Sequence, residues 1–148
     1  MAENTLQLCT FQLGNALFGL DTILVQEIIK IPDITKVYQA PAEILGIINL
    51  RGKIVTIIDL AVKLELESGM EPENRRIIIV ENQNEPFGLV VDQISDVIHI
   101  DPDELDTAPA NVNTTQGRYI TGVFRDEERL IAILNLEEIT SNSEAKTE

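Results

Sequence analysis

The segment GIINLRGKIVTIIDL, from Gly46 to Leu60, consists of two apolar, β-branched runs separated by a short polar interruption. This pattern predicts a strand, a tight turn and a second strand, because Gly52 can adopt the positive φ that such a turn requires. Asn49 can hydrogen-bond the turn backbone through its side-chain amide, and Arg51 places a permanent cation at the tip of the hairpin. An ordinary β-turn with a solvated arginine is the alternative interpretation of this tip.

The hairpin is part of an internal repeat. Residues 18–20, Phe-Gly-Leu, recur as 87–89, and the hairpin strand 54–60 recurs as 130–136. The copies stand 69 positions apart at the first motif and 76 apart at the second. The second copy therefore contains a longer loop, which we place within 101–118 because Pro and Gly interrupt the pattern there.

Each copy offers about five short strands and few long helical patterns. A small sheet of this kind removes its exposed edges by curling into a barrel, which its own side chains fill. The sequence thus predicts an all-β fold of two barrels, over residues 6–66 and 75–139, within a single domain, 1–148. We also expect a short C-terminal helix capped by Asn135 and a mobile acidic tail over 140–148.

The composition restricts the class of partner. The formal net charge of −14, from 25 acidic and 11 basic residues, opposes binding to nucleic acid or to anionic membranes. No signal-peptide pattern is present, and no apolar run approaches the ~20 residues of a spanning helix, so we expect a cytoplasmic protein with no direct membrane insertion. The single cysteine, Cys9, lies in a predicted strand and is interpreted as a small core residue.

Candidate catalytic and metal-binding groups are sparse. His99, the one histidine, alternates with two isoleucines and suits a packing or rim position better than a general base. The acidic residues of 101–106 resemble a calcium-binding run, but they lack the glycine and the terminal glutamate of an EF-hand loop. A helix cap at Asp101-Pro102 explains them more simply. The sequence therefore predicts a protein that is not an enzyme and has no cofactor or metal.

The chain resembles the CheW family of chemotaxis coupling proteins, from about Leu6 to Ile139. The landmarks that carry the resemblance are residues 46–52, 58–60, 87–92, Val97 and 119–122. The resemblance implies two SH3-like five-stranded barrels around a shared hydrophobic core. It also implies an adaptor that links the cytoplasmic tips of chemoreceptors to the regulatory domain of the histidine kinase CheA. An adaptor of a different receptor–kinase array, such as one that controls surface motility by type IV pili, is the alternative.

The resemblance further implies roles for individual residues. Val25, Glu27 and Arg51 stand where the family has positions implicated in receptor and kinase coupling, and Gly46 and Gly122 stand at family glycines with a structural role. We assign receptor binding to Val25, Glu27, Ile28 and Arg51, and kinase binding to Asn49, Leu50, Arg51 and Gly52. We expect Val25 and Ile28 to face the second barrel and to form an apolar groove for a receptor helix. Arg51 is expected to form an ion pair with Glu27 at that groove, whereas its counterpart in the second copy is Glu127.

Overall fold

The computed structural model describes residues 5–67, 72–107 and 118–141. Eleven strands occupy most of these residues, with two short helices and three single 3-10 turns among them. The strands are β1 (Leu6–Leu13), β2 (Ala16–Asp21), β3 (Val25–Ile29), β4 (Ile44–Leu50), β5 (Lys53–Asp59), β6 (Arg76–Asn82), β7 (Glu85–Val91), β8 (Gln93–Ile100), β9 (Asp106–Thr107), β10 (Ile120–Asp126) and β11 (Arg129–Leu134). The helices are α1 (Leu60–Lys63) and α2 (Leu136–Ser141), and the 3-10 turns are Thr22–Leu24, Pro72–Asn74 and Pro102–Glu104.

The strands form two sheets, each built from both halves of the chain. The first sheet, here barrel I, has the order β3-β6-β7-β5-β4, and the second, barrel II, has the order β8-β1-β2-β11-β10-β9. The all-β prediction is confirmed, and each sheet repeats one five-strand pattern to which barrel II adds the two-residue β9.

The predicted limits of the barrels, 6–66 and 75–139, are wrong. They are the limits of the two sequence copies, whereas each sheet contains strands from both copies. Parallel pairing of β5 with β7 and of β11 with β2 inserts the first hairpin of each copy into the sheet of the other copy. Hydrophobic alternation indicates which face of a strand is buried, but it does not indicate the strand's neighbour.

The repeat is preserved in the register of the strands. The pairing of β4 with β5 shifts between Ile44 and Gly46, and that of β10 with β11 shifts between Ile120 and Gly122. In the antiparallel pair, each of these glycines lies opposite an isoleucine. In the parallel pair, the same isoleucine lies opposite a second glycine, and the two second glycines are also equivalent in the repeat. Gly46 and Gly122 therefore occupy equivalent positions, as the repeat predicts.

The described residues form three apolar clusters. One lies inside barrel I and includes Val55 and Ile79, and one lies inside barrel II and includes Leu8 and Ile131. The largest joins residues of both sheets and forms a shared core, which confirms that implication of the resemblance. Cys9 is buried as predicted, and burial raises the pKa of its thiol, so the reactive thiolate is disfavoured.

Both α-helices begin at a side-chain cap. The Asp59 carboxylate accepts hydrogen bonds from the backbone N–H groups of Ala61 and Val62, at 3.1 and 3.4 Å. At the equivalent position, Asn135 Oδ1 accepts one from the N–H of Glu138 at 3.3 Å, which confirms the predicted cap. Neither helix, nor any other in the described residues, has the length and apolarity needed to cross a bilayer.

The predicted start of the acidic tail, residue 140, is wrong. Thr140 belongs to α2 and is buried. Its hydroxyl donates a hydrogen bond to the carbonyl of Leu136 and accepts one from the side chain of Asn82. Ser141 is the last residue of the same helix. The rest of the predicted tail, 142–148, lies outside the described residues.

The cap at Asp59 is expected to be worth more than the cap at Asn135. Asp59→Ala removes an acceptor that serves two N–H groups, so we expect a loss of about 1 kcal/mol in the free energy of unfolding. Asn135→Ala removes an acceptor that serves one, and should cost less. Denaturant unfolding of both variants measures the difference, and equal losses would contradict the assignment.

Candidate protein-interaction surfaces

The tip of the β4–β5 hairpin is a two-residue turn. Leu50 pairs with Lys53, so Arg51 and Gly52 form the loop, with φ values of 51° and 86°. Two positive φ values identify a type I′ turn, which matches the twist of the strands. Asn49 Oδ1 accepts a hydrogen bond from Gly52 N at 2.9 Å, which confirms its predicted bond to the turn backbone.

The turn holds the exposed cation Arg51 in a fixed position at the tip. Arg51 is 69% exposed at its side chain, whereas Leu50 packs against the core of barrel I. Of the four residues predicted for kinase binding, Asn49 and Gly52 thus hold the turn, Leu50 anchors it and Arg51 is available to a partner.

Arg51 forms the expected ion pair with Glu27. Glu27 lies on β3 and Arg51 at the end of β4, which are the two ends of the strand order of barrel I, so the pair joins the ends of the sheet. Because both side chains are partly exposed, the pair contributes only about 0 to 1 kcal/mol to stability. Its main effect is to fix the orientation of the arginine.

The pair lies at the mouth of barrel I and not in the groove between the barrels, so the predicted location is wrong. A register shift in β3, between Val25 and Glu27, places Glu27 opposite Ile79, whose side chain is in the core of barrel I. Residues directly opposite each other in an antiparallel pair share a face of the sheet. Glu27 therefore points to the inside of barrel I.

Val25 and Ile28 lie on the other face of β3. They are opposite Val80 and Ile78, both of which belong to the shared core, so Val25 and Ile28 face barrel II as predicted. Val25 is partly buried against that core, whereas Ile28 is 40% exposed. Ile28 is the member of the pair that a partner can reach, whereas Val25 packs against the shared core.

The structure adds two apolar residues to the predicted surfaces. Val97, on β8, is 54% exposed and is the repeat equivalent of Ile28. Ile54, on β5, is 56% exposed and lies opposite Asn49, beside the arginine tip. The repeat could have identified Val97, but Ile54 sits within an apolar strand and carries no sequence signal that separates it from core residues.

A polar and aromatic contact holds the two barrels in a fixed relation. Lys63 Nζ, on α1, lies 5.5 Å from the ring centroid of Tyr119, which precedes β10, and 3.5 Å from Glu43 Oε2. Arg118 lies over the same ring, also at 5.5 Å. Since α1 follows barrel I and Tyr119 leads into barrel II, the contact between Lys63 and Tyr119 connects the two barrels.

His99 and the acidic run take local roles. His99 Nε2 is 2.9 Å from Gln7 Nε2 at an exposed position. Asp101 and Glu104 form a capping box on the turn Pro102–Glu104, in which Asp101 Oδ1 accepts from Asp103 N at 2.9 Å. The cap predicted for this run is confirmed.

The CheW-like domain profile matches residues 7–144. The chain is 35% identical to Chemotaxis protein CheW of Klebsiella aerogenes over 134 residues, which cover 90% of this chain and 81% of that protein. It is 26% identical to Protein PilI of Pseudomonas aeruginosa over 118 residues, 80% of this chain and 66% of that protein.

A solved structure shows the same fold. The scaffolding protein TtCheW from Thermoanaerobacter tengcongensis is 34% identical and superposes with a TM-score of 0.86, over 94% of this chain and 90% of that one. The match of the family profile over residues 7–144 and these similarities show that the chain belongs to the CheW-like domain family.

Proposed function

We propose that this protein is a non-enzymatic adaptor that couples chemoreceptors to the histidine kinase CheA in chemotaxis signalling, in the cytoplasm. The observation that carries the proposal is the presence of two accessible surfaces, which lie on separate strands of barrel I. The shared core packs the two barrels against each other and so holds these strands in a fixed position. A bridge needs one surface for each partner and a fixed relation between them. Membership of the CheW-like family supports the choice of these partners.

The receptor surface is the apolar strip of β3. Receptor tips of this class are long helical hairpins, and a helix is best held by an apolar groove that takes the residues of its apolar stripe. Ile28 is exposed on the face of β3 that is directed towards barrel II, and Val25 lies on the same face. Val97, at the equivalent position on β8 of barrel II, is also exposed.

The kinase surface is the end of barrel I formed by the β4–β5 tip. The type I′ turn and the bond from Gly52 N to Asn49 hold the tip rigid, and Ile54 adds exposed apolar area beside Arg51. The regulatory domain of the kinase is related in fold to this family, so docking of one barrel end against another is the expected geometry. With few aromatic anchors, each contact is modest alone, and multivalent assembly supplies the strength through effective concentration.

A second candidate is an adaptor of a different receptor–kinase array, such as one that controls surface motility by type IV pili. The similarity to Protein PilI favours it, although at lower identity and coverage than the similarity to CheW of Klebsiella aerogenes. Both candidates use the same two surfaces, so the surfaces do not separate them.

Reconstitution tests the proposal directly. Kinase autophosphorylation is measured with CheA and receptor-containing membranes of a chemotaxis array, with and without this protein, and in parallel with the kinase and receptor of a pilus-motility array. Stimulation of CheA that requires both receptor and this protein is the expected result. Stimulation of the second array alone would establish the second candidate, and no stimulation of either would contradict the adaptor function.

Charge reversal at the tip is expected to weaken partner binding without unfolding the protein. Arg51→Glu breaks the ion pair and places two carboxylates side by side, which costs stability only about 1 kcal/mol because both groups are partly exposed. Partner affinity should fall by about tenfold or more, since a misplaced charge at an interface leaves its opposite unpaired. Arg125→Glu makes the same substitution at an exposed residue of β10 in barrel II, outside the proposed surfaces, and is the matched control.

The double variant Glu27→Lys, Arg51→Glu restores an ion pair with its sign exchanged. If the pair only orients the turn, the double variant recovers binding; if the arginine itself contacts the partner, it does not. We expect no recovery. Isothermal titration against the kinase regulatory domain, with melting curves for each variant, distinguishes these results.

A further inference from the structure

Lys63 is the charged side chain that the fold buries within the described residues. The side chain is 6% exposed, and its Nζ lies 3.5 Å from Glu43 Oε2 and 5.5 Å from the ring centroid of Tyr119. Removal of an ammonium group from water is costly, and replacement of a buried ion pair by apolar side chains is often neutral or stabilising. Stability alone therefore does not explain a lysine at this place.

The repeat supplies an internal comparison for Lys63. At the offset of 76 positions, Glu43 is equivalent to Tyr119. Their backbone carbonyls accept hydrogen bonds from equivalent N–H groups, at 2.8 and 2.7 Å, so the two copies share this backbone arrangement. Lys63 is equivalent to Ile139, which is buried in the shared core. Ile139 shows that the fold accepts an aliphatic residue where the first copy has a lysine.

The ammonium group contacts both copies at a place where they meet. Glu43 precedes β4 of barrel I, whereas Tyr119 precedes β10 of barrel II. Hydrophobic burial holds two bodies together without a preferred direction, because its free energy depends on the area removed from water. An ion pair and a cation–π contact depend on the positions of particular groups, so they favour one arrangement of the barrels. Lys63 thus adds an orientation to the association that the shared core supplies.

We propose that Lys63 is a positioning residue that sets the affinity for the receptor by fixing the orientation of barrel II against barrel I. The apolar strip of β3 is directed towards barrel II, so the width of the groove that receives a receptor helix depends on the angle between the barrels. The tip of the β4–β5 hairpin lies wholly in barrel I and does not depend on that angle. The effect on receptor affinity rests on the proposed function, whereas the effect on barrel orientation does not.

Lys63→Ile introduces the residue type of the second copy and tests the proposal. We expect its melting temperature to equal or exceed that of the parent protein, because the Glu43 side chain that loses its partner is 21% exposed to water. Residual dipolar couplings of the ¹⁵N-labelled full chain measure the orientation of the barrels. One alignment tensor should fit the amides of both barrels in the parent protein, whereas Lys63→Ile should need a separate tensor for each. Lys36→Ile removes an exposed lysine outside the proposed surfaces and should behave like the parent protein.

Calorimetric titration against a receptor-tip fragment and against the regulatory domain of the kinase gives the second readout. Lys63→Ile should weaken binding of the receptor fragment by about fivefold or more, the lower end of the coupling between distant sites, and should leave binding of the kinase domain unchanged. Tyr119→Phe keeps the ring that faces the ammonium group and should bind like the parent protein. Tyr119→Leu removes the ring and should reproduce the effect of Lys63→Ile.

The proposal is overturned if one alignment tensor fits both barrels of Lys63→Ile, if that variant keeps the receptor affinity of the parent protein, or if Tyr119→Phe and Tyr119→Leu bind equally. A melting temperature of Lys63→Ile well below that of the parent protein would also overturn it, because the lysine would then serve stability. Failure of the parent protein to bind the receptor fragment would refute the proposed function, and with it the predicted change of affinity. The dipolar couplings decide in either case whether Lys63 fixes the orientation of the barrels.

Discussion

Gly46→Ala is expected to destabilise the protein by about 3 kcal/mol or more, the largest effect on stability predicted for a single methyl group in this chain. A Cβ on Gly46 would lie 2.1 Å from the carbonyl oxygen of Thr35 and 2.8 Å from Cγ2 of Ile34. Thr35 cannot easily move, because it exchanges two backbone hydrogen bonds with Ile47, at 2.8 and 2.9 Å. The φ of 149° at Gly46 adds backbone strain for any residue with a side chain.

The repeat provides the matched control for this substitution. Gly122 holds the equivalent position, but a Cβ there would lie 3.0 Å from the carbonyl oxygen of Asp106, and we expect Gly122→Ala to cost about 1 kcal/mol. Unfolding in urea, monitored by circular dichroism, measures both losses. Similar losses at the two glycines would show that the contact with Thr35 is not what excludes a side chain from position 46.

Ile28→Glu is expected to abolish stimulation of the kinase by receptor. The substitution places a carboxylate where the proposed apolar groove receives a receptor helix, and a charge in a desolvated interface without a partner is strongly unfavourable. Ile28 is a sharper probe than Val25, because Val25 also packs against the shared core and its replacement by a charge would destabilise the fold. Autophosphorylation of CheA in receptor-containing membranes is the measurement.

Ile54→Glu, on the proposed kinase surface, should lower the same activity through loss of kinase binding, so the melting temperature and binding measurements, and not this activity, separate the two variants. It makes the same chemical change at a residue that is exposed to a similar degree and lies on β5. Retention of receptor-stimulated kinase activity in Ile28→Glu, with a melting temperature close to that of the parent protein, would remove β3 from the receptor surface.

Local features of the fold followed from sequence because each depends on a few adjacent residues. The β4–β5 hairpin follows from the β-branched residues on both sides of Gly52. The caps at Asp59 and Asn135 follow from side-chain oxygens that can accept hydrogen bonds from the backbone N–H groups of the first helical turn. Unlike the ion pair between Glu27 and Arg51, which joins distant strands and was expected partly from the family resemblance, these features need no long-range contact. These are short-range rules that tertiary structure did not override.

Long-range features escaped the sequence for a physical reason. The exchange of first hairpins between the barrels depends on the parallel pairs β5–β7 and β2–β11, and strand patterns do not encode the choice of neighbour. The register shift in β3 sends Glu27 to the inside of barrel I while Val25 and Ile28 face barrel II. Without that shift, Val25 and Glu27 would lie on the same face of β3, and the proposed groove would not be separate from the ion pair.

The central claim, that two separate surfaces make the bridge, is tested most directly by calorimetric titration of Ile28→Glu and Ile54→Glu against two ligands. The ligands are a receptor-tip fragment and the regulatory domain of CheA, and each variant is first shown to melt like the parent protein. We predict that Ile28→Glu loses binding to the receptor fragment and retains binding to the kinase domain, and that Ile54→Glu shows the reverse. Equal loss of both partners in either folded variant would mean one shared surface and would contradict this account.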